Sequence, residues 1–339
     1  MFANWLGSAL AIGWAFFVLV SCSTNDDEKL HSHSSDGSEI ALEVIPSNVA
    51  RIGGGAEVPK GPSWPPTVAI LDTGIDPSNP DLNVAGGINC ATADRDAWND
   101  TDGHGTSLAG VVGARLDGEG VVGVAPGARL YAVRLFADES SASEESVLCG
   151  LRWVYDNADV IDVALTAFNR SDTAPAVEDC HSDELRQMIC LLHESGVAIV
   201  SAAGNQKVDA SSLVPAKLGR VITVGAIVDF DGAPGGLGSP TCGPGVDDSL
   251  ADFSNSGTSV DIYAPGVCIE TTRLRSLEGS IAPSGTSLAA AHVAAAAAIH
   301  KACYAAATPD EVKSALVKSA EILWSDGMAL PIVAISPQC

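Results

Sequence analysis

The chain of 339 residues has little positive charge: 18 Lys and Arg residues stand against 42 Asp and Glu residues, so the formal net charge is −24. A surface of this sign repels phosphate backbones, and we therefore expect no nucleic acid among its partners. An apolar run of transmembrane length is also missing, because the run Ala9–Val20 has 12 residues and a spanning helix needs about 20. No C-x-x-C motif is present, and no His lies near Cys at the spacing of zinc ligands.

The first 22 residues indicate export. The run Ala9–Val20 has the length of a signal-peptide core, although the residues before it contain no basic side chain. The residues Leu19-Val20-Ser21-Cys22 resemble the lipobox of bacterial lipoproteins, in which the cysteine becomes the lipidated first residue. We therefore expect lipidation of Cys22. The lipid would anchor the protein to a bacterial membrane, either on its outer face or on a face toward the periplasm. The alternatives are an ordinary cleaved signal with secretion, or a short uncleaved anchor.

Without Cys22, eight of the nine cysteines remain, at positions 90, 149, 180, 190, 242, 268, 303 and 339. An even number in an exported chain predicts disulfides, but eight cysteines allow about 105 pairings. Proximity in sequence suggests only Cys180 with Cys190. Residues 23–62 are polar and end in glycines and prolines, which is typical of a flexible tether. The folded domain is accordingly expected at residues 63–339.

From residue 67 onwards, short apolar runs alternate with helical stretches. Runs that are apolar throughout are typical of parallel strands covered on both faces. They lie at residues 68–73, 130–136, 160–165, 197–204 and 221–227, with helices between them at 145–157 and 182–194. Near the end, one helix is predicted to begin at Ser287, and another to begin at Thr308 with Glu311 completing a capping box. This alternation predicts an α/β domain with a doubly wound, mostly parallel sheet flanked by helices.

Four residues offer the groups that a serine needs to hydrolyse a peptide bond. Asp72 follows a buried-type strand, His104 lies between two glycines, and Ser287 opens a helix whose N-terminus favours negative charge. Asn205 follows a strand and could donate its amide to an oxyanion. Each has an ordinary structural explanation by itself, as a turn residue or a helix cap, but the four together are hard to explain by chance.

The order Asp, His, Ser is the order of the subtilisin triad, and the surrounding blocks resemble that family. DTGIDPSNPDLNVAGG, DGHGTSLAG, SAAGN and GTSLAAAHVA fall in family order within residues 67–300. The resemblance implies a nucleophile at Ser287, a general base at His104, an orienting carboxylate at Asp72 and an oxyanion-hole amide at Asn205. The resemblance also implies that the chemistry needs no cofactor and that the protein is a monomer.

The resemblance also implies where substrate binds. Family members bind an extended peptide beside a strand that normally ends in Ser-Leu-Gly, and here the matching residues are Ala164, Leu165 and Thr166. Thr166 is expected to narrow the pockets, unless a local backbone shift accommodates it. Ala203 and Gly204 are expected to bind substrate as well.

A calcium site is a further expectation from the family pattern. Asp81 and Asp117, together with carbonyls of the loop 115–121, match oxygen ligands that suit Ca²⁺. The alternative is a solvated acidic loop.

The sequence therefore predicts a serine endopeptidase that cleaves extracytoplasmic proteins or peptides through an acyl-enzyme. Two alternatives stay open. One is a maturation peptidase dedicated to a single partner peptide, and the other is a catalytically silent binding module with the same fold.

Overall fold

A central sheet built from the apolar runs organises the computed structural model of the protein. The structure describes residues 43–55, 58–137, 142–172, 180–274, 283–335 and 339, and the backbone of 276–281. The predicted signal peptide 1–22, the lipidation site Cys22 and residues 23–42 of the predicted tether lie outside the described residues.

The described part of the chain contains six α-helices: α1 (Ser47–Arg51), α2 (His104–Gly113), α3 (Glu144–Asp156), α4 (Glu184–Glu194), α5 (Thr286–Cys303) and α6 (Pro309–Ser319). Its strands are β1 (Thr67–Asp72), β2 (Val84–Asn89), β3 (Arg129–Arg134), β4 (Val163–Thr166), β5 (Arg170–Ser171), β6 (Ala198–Ala202), β7 (Leu213–Val214), β8 (Ile222–Val228), β9 (Ser249–Leu250), β10 (Ile262–Pro265), β11 (Thr271–Arg273), β12 (Ser276–Ile281), β13 (Glu321–Ser325) and β14 (Met328–Ile332).

The main sheet has the order β13-β14-β10-β8-β6-β4-β1-β3-β2, with β9 attached to β8. Neighbours are parallel except at the pairs β13/β14 and β8/β9. The doubly wound, mostly parallel α/β sheet predicted from the sequence is therefore confirmed. Since the carboxyl ends of parallel strands share one edge, residues that follow β1 and β6 are brought together there.

Both faces of the sheet are covered, which explains the continuous apolar strands. Along β1, Val68 and Ile70 pack in a cluster with residues of α2 and α5. The alternate residues Ala69 and Leu71 pack in a second cluster with residues of α3 and α4. Helix α5 is buried along nearly its whole length, and its alanines allow close approach to the strands beneath it.

The N-terminal segment 43–55 is part of the folded domain, so the prediction of a flexible tether up to residue 62 is wrong for this segment. Asn48 is 2% exposed, and its Nδ2 atom lies 3.0 Å from Nε2 of His292 on α5. Arg51 is buried too, and its guanidinium forms ion pairs with Asp229, Asp248 and Glu321. The segment looks solvated by composition because the partners of its polar residues lie some 200 residues away in sequence.

Four disulfides join the eight cysteines: Cys90–Cys149, Cys180–Cys190, Cys242–Cys268 and Cys303–Cys339. The pairing of Cys180 with Cys190 agrees with the prediction from sequence proximity. The last bond joins Cys339 to Cys303, the final residue of α5, at the opposite end of this helix from Ser287. Among the described helices, none is both long and apolar enough to cross a bilayer.

Candidate active site

Asp72, His104 and Ser287 form a hydrogen-bonded chain at the carboxyl edge of the sheet. The Nδ1 atom of His104 lies 2.7 Å from Oδ1 of Asp72, and its Nε2 atom lies 2.9 Å from Oγ of Ser287. Asp72 is 1% exposed, Ser287 is 7% exposed, and the His104 side chain is 38% exposed. The three predicted catalytic residues thus meet in an order that can move a proton from Ser287 to His104.

The loop before α2 holds His104 in place through a buried carboxylate, Asp100. Its Oδ1 accepts hydrogen bonds from the backbone of Asp102 and Gly103 and from the Thr73 hydroxyl, and its Oδ2 accepts from Thr106. Thr73 in turn accepts a bond from the N–H of Gly105. The end of β1 and the start of α2 are therefore tied together on both sides of His104.

Ser287 lies in the first turn of α5, where backbone N–H groups have no intrahelical partner. The helix begins directly after Gly285, and a Cβ at that position would lie 3.2 Å from Ser287 Oγ and 3.6 Å from Asn205 Nδ2. Any side chain there would intrude between the nucleophile and the amide. Glycine keeps this space open for the scissile carbonyl.

Asn205 is oriented by Thr286. Its Oδ1 accepts from the backbone N–H of Thr286 at 2.9 Å and from the Thr286 hydroxyl at 2.8 Å. With the oxygen engaged in this way, the Nδ2 group is left to donate toward the space above Gly285. This is the geometry expected of an oxyanion donor fixed before substrate binds.

The negative charge of Asp72 raises the pKa of His104 above its ordinary value of 6.5, with smaller contributions from Asp102 and Asp100, while burial acts in the opposite direction. Asp72 also accepts the Nδ1–H of the neutral ring, so Nε2 is the atom available to take the Ser287 proton. The arrangement favours the imidazolium that forms when that proton moves.

A cavity of about 400 Å³ opens over these residues. It is lined by Asp72, Thr73, Asp102, His104, Phe136, Ala167, Asn169, Ala202, Gly204, Asn205, Gln206, Thr286 and Ser287. Of the five residues predicted to bind substrate, Gly204 is in this lining. Ala203 is 0% exposed and donates its N–H to the carbonyl of Val224 in β8.

Ala164, Leu165 and Thr166 are the last three residues of β4, which pairs with β1 on one side and β6 on the other. Their side chains are buried, and the Thr166 hydroxyl accepts the N–H of Phe168 at 3.2 Å. Thr166 is not among the residues that line this cavity, and the narrowing that we expected from its branched side chain stays a prediction. The chain reaches the cavity just beyond β4, at Ala167 and Asn169.

Several residues of the site were not predicted from the sequence. Asp100 and Thr73 look like ordinary turn residues, and Thr286 like a helix-start residue. Only the spacing of Asp100 before Gly103, His104 and Thr106 contains a signal, since a carboxylate there can bind the amides of the following turn. Asn169 has no local signal at all, because its partner is the carbonyl of Ala202 at the end of β6, 33 residues away in sequence.

The predicted metal residues Asp81 and Asp117 lie around the loop 115–121. The carboxylate of Asp81 is 1% exposed and accepts the N–H groups of Arg115 and Val121. Glu43, from the N-terminal segment, accepts the N–H groups of Asp117 and Gly118. Burial raises the pKa of Asp81 to about 6, and the charges of Asp117 and Glu43 add to the effect. The carboxylates of Asp81 and Glu43 are thus engaged with backbone N–H groups of this loop, and the calcium site stays a prediction.

Comparison with known proteins agrees with this geometry. The profile of the subtilase family matches residues 65–331. The chain is 32% identical to a subtilisin of Bacillus pumilus over 262 residues, which cover 76% of this chain and 84% of the relative. It is 32% identical to subtilisin E of Bacillus subtilis, again over 76% of this chain but over 60% of that protein. It is 35% identical to subtilisin Savinase of Lederbergia lenta over 69% of this chain and 75% of the relative.

A solved structure gives the same result for the fold. The crystal structure of a cold adapted subtilisin-like serine proteinase superposes with a TM-score of 0.69 at 25% sequence identity, and the match covers 86% of this chain and 98% of that one. The residues matched by the subtilase family profile, 65–331, include Asp72, His104 and Ser287. The protein belongs to the subtilase family and is a subtilisin-like serine endopeptidase.

Proposed function

We propose that the protein hydrolyses peptide bonds of extracytoplasmic proteins or peptides through an acyl-enzyme on Ser287. The observation that carries this proposal is the position of His104, which is within hydrogen-bond distance of both Ser287 Oγ and Asp72 Oδ1. A protein that served only to bind peptides would not need this alignment.

In the first half of the reaction, Ser287 Oγ attacks the scissile carbonyl carbon while its proton passes to Nε2 of His104. The carbonyl oxygen becomes an oxyanion, which receives hydrogen bonds from Asn205 Nδ2 and from the backbone N–H of Ser287. His104 then gives its proton to the departing amine as the C–N bond breaks, and an ester to Ser287 remains.

In the second half, water attacks the ester and its proton passes to His104. The oxyanion forms again at the same donors and collapses, releasing the carboxylate product, and His104 returns its proton to Ser287 Oγ. Asp72 stays ionised throughout and stabilises the imidazolium in both halves.

A fluorophosphonate probe tests the nucleophile directly, because it forms a stable adduct only with an activated serine. The full-length chain should be labelled, and Ser287→Ala should not. A folded wild-type chain that is not labelled would favour the silent binding module. Labelling together with no cleavage of casein would favour a peptidase dedicated to one partner.

Export and membrane attachment are part of the proposal. Four disulfides favour an oxidising compartment, and the lipobox-like residues favour attachment through Cys22. Mass spectrometry of the mature N-terminus tests the anchor. A diacylated Cys22 that is lost in Cys22→Ala would support it, whereas an unmodified mature chain in the culture medium would support secretion.

We also propose a structural calcium ion held by Asp81, Asp117 and loop carbonyls of 115–121. Glu43 is a further candidate ligand, because its carboxylate already contacts this loop. When bound, the ion would neutralise the carboxylates and tie the N-terminal segment to the domain. It would take no part in peptide-bond hydrolysis.

A further inference from the structure

The half of the catalytic cavity that contains His104 is negatively charged. In the main sheet β4 neighbours β6, and β1 neighbours β3. The lining residues at or just beyond the ends of β4 and β6 therefore form one half of the cavity. Those at the ends of β1 and β3 form the other half together with the start of α2, and they include His104, Asp102 and Phe136.

Asp102 contributes an exposed carboxylate to this half. The residue lines the cavity and lies two positions before His104. Its Oδ1 accepts the backbone N–H of His104 at 2.9 Å, and within the described residues its Oδ2 accepts no hydrogen bond. Its charge also acts on the His104 ring, because Asp102 adds to the effect of Asp72 in raising the pKa of His104. A potential that favours a proton on this ring also favours a cation beside the ring.

Asp102 has no counter-ion in the described part of the chain. None of the ion pairs found there involves this residue, and none of the described lining residues is Lys or Arg. The guanidinium of Arg134 lies near the same loop, but its hydrogen bonds go to neutral acceptors, the carbonyls of Asn99 and Phe136 and the hydroxyl of Thr101. A cationic side chain of the substrate can therefore supply the missing charge.

The position of this charge corresponds to P2, the substrate residue before P1, where P1 is the residue whose carbonyl is attacked. The oxygen of that carbonyl is received by Asn205, which follows β6, so P1 belongs to the half of the cavity beyond β4 and β6. Successive side chains of an extended peptide point to opposite sides. The P2 side chain therefore points toward His104 and Asp102. Phe136 lines the same half and offers apolar surface to a long aliphatic stem.

We propose that the enzyme prefers lysine or arginine at P2, and that Asp102 determines this preference. The cationic group pairs with Oδ2 of Asp102 while the stem packs along Phe136, and the same carboxylate repels Asp or Glu at P2. The inference rests on the proposed peptidase function and deepens it, because it names a class of substrate.

The test compares fluorogenic peptides that differ only at P2, with the nearly isosteric pairs lysine and norleucine, and glutamine and glutamate. Active enzyme is counted first by fluorophosphonate labelling, so that rates refer to working sites. At low salt we expect kcat/KM for lysine to exceed that for norleucine about fivefold, because an exposed charge pair contributes up to about 1 kcal/mol. Glutamine should exceed glutamate by a similar factor. Both ratios should fall in about 1 M salt, where the screening length is about 3 Å. A labelled enzyme that cleaves the norleucine peptide as fast as the lysine peptide would overturn the proposal.

Asp102→Asn removes the charge but keeps an oxygen acceptor for the His104 N–H, so it should lower the lysine/norleucine ratio about fivefold. Asp326→Asn is the matched control, because it removes the same charge from an exposed turn between β13 and β14, at the far edge of the sheet. This control should leave the ratio unchanged. If Asp102→Asn does not fold, the wild-type ratios and their salt dependence decide.

A control peptide separates a local effect from general attraction to a chain of net charge −24. It carries norleucine at P2 and lysine at its N-terminal end, so its net charge equals that of the peptide with lysine at P2. An equal rate for these two peptides, or an equal loss of preference in both variants, would overturn the role of Asp102. Absence of labelling in wild type would instead overturn the peptidase function itself.

Discussion

Asn205 and Thr286 are joined by two hydrogen bonds that end on the same atom, Oδ1 of Asn205, at 2.9 and 2.8 Å. Thr286 precedes the nucleophile and also accepts the N–H of Gly204 through its hydroxyl. One threonine therefore aims the oxyanion amide and fixes the strand end that carries it to the helix that carries Ser287.

Replacing Asn205 by Leu should lower kcat by about 100- to 1000-fold with little change in KM, because the amide binds the oxyanion and not the ground-state carbonyl. This magnitude is the one known for loss of an oxyanion-hole donor in subtilisin, a relative of this protein. Steady-state kinetics with a peptide substrate provide the measurement. Thr286→Val, which keeps the shape and the backbone N–H, should cause a smaller loss in kcat. A raised KM with normal kcat in Asn205→Leu would contradict the assignment.

The pH profile of kcat/KM should rise as His104 loses its proton, with a midpoint above 6.5, because Asp72 raises the pKa of this group. Removing the charge in Asp72→Asn should move the rising limb to lower pH, as well as reduce the maximum. Profiles normalised to their maxima separate the two effects. Asp102→Asn, which removes an exposed charge near His104, should move the limb in the same direction but less. If the rising limb does not move in Asp72→Asn, the charge of Asp72 does not raise the pKa of His104.

The parts of the fold that could be predicted are those in which local pattern and tertiary environment agree. The apolar runs became β1, β3, β4, β6 and β8 because both faces of the sheet are covered, and Thr308 with Glu311 forms the predicted capping box. The helix expected to begin at Ser287 begins one residue earlier, at Thr286. The triad was found because its members lie in blocks that resemble the family.

What could not be predicted depends on polar residues with distant partners. Arg51 looks solvated in sequence, yet it is 7% exposed and binds carboxylates that are 178 to 270 residues away. Asn169 looks like a loop residue until the carbonyl of Ala202 is placed beside it. No local pattern contains these pairings, because the fold brings the partners together only after the sheet has formed.

His292 should make the protein less stable at acid pH. The ring is 0% exposed, with Nδ1 2.8 Å from the carbonyl of Leu288 and Nε2 facing Nδ2 of Asn48. Burial lowers the pKa of His292 to about 4, so the unfolded chain binds a proton more readily than the folded one. Above pH 6.5 the ring is neutral in both states and has no effect on the free energy of unfolding. As pH falls from 6.5 toward 4, protonation of the unfolded chain lowers that free energy, by about 3 kcal/mol at most.

Urea unfolding between pH 7 and 4.5 measures this effect, in a Ser287→Ala background that prevents self-digestion. His292→Gln cannot gain a proton, so its free energy of unfolding should fall less steeply with acid than that of the parent. Parallel pH dependences of the two proteins would exclude His292 as the titrating group.

Arg51 should matter more to stability than any surface ion pair. Replacing it by Met leaves the buried carboxylate of Asp229 without its cation, and breaking a buried pair of this kind costs about 3–5 kcal/mol. Lys207→Met is the matched control, since Lys207 and Asp252 are 72% and 96% exposed, and such pairs contribute about 0–1 kcal/mol. Denaturant unfolding of both variants gives the comparison, and equal losses would show that Arg51 does not anchor the N-terminal segment.

Chelation should lower the melting temperature if calcium occupies the loop 115–121. An ion present at about 100 times its Kd stabilises the folded state by about 2.7 kcal/mol, which for a protein of this size corresponds to roughly 5 °C. Glu43→Gln and Asp117→Asn should each require more calcium for the same stabilisation, whereas Asp252→Asn, which removes an exposed carboxylate elsewhere, should not. The Glu43 variant is the informative one, because this residue joins the loop to the N-terminal segment. If calcium stabilises wild type and Glu43→Gln equally, Glu43 is not a ligand of the ion. If chelation changes neither protein, the acidic loop is simply solvated.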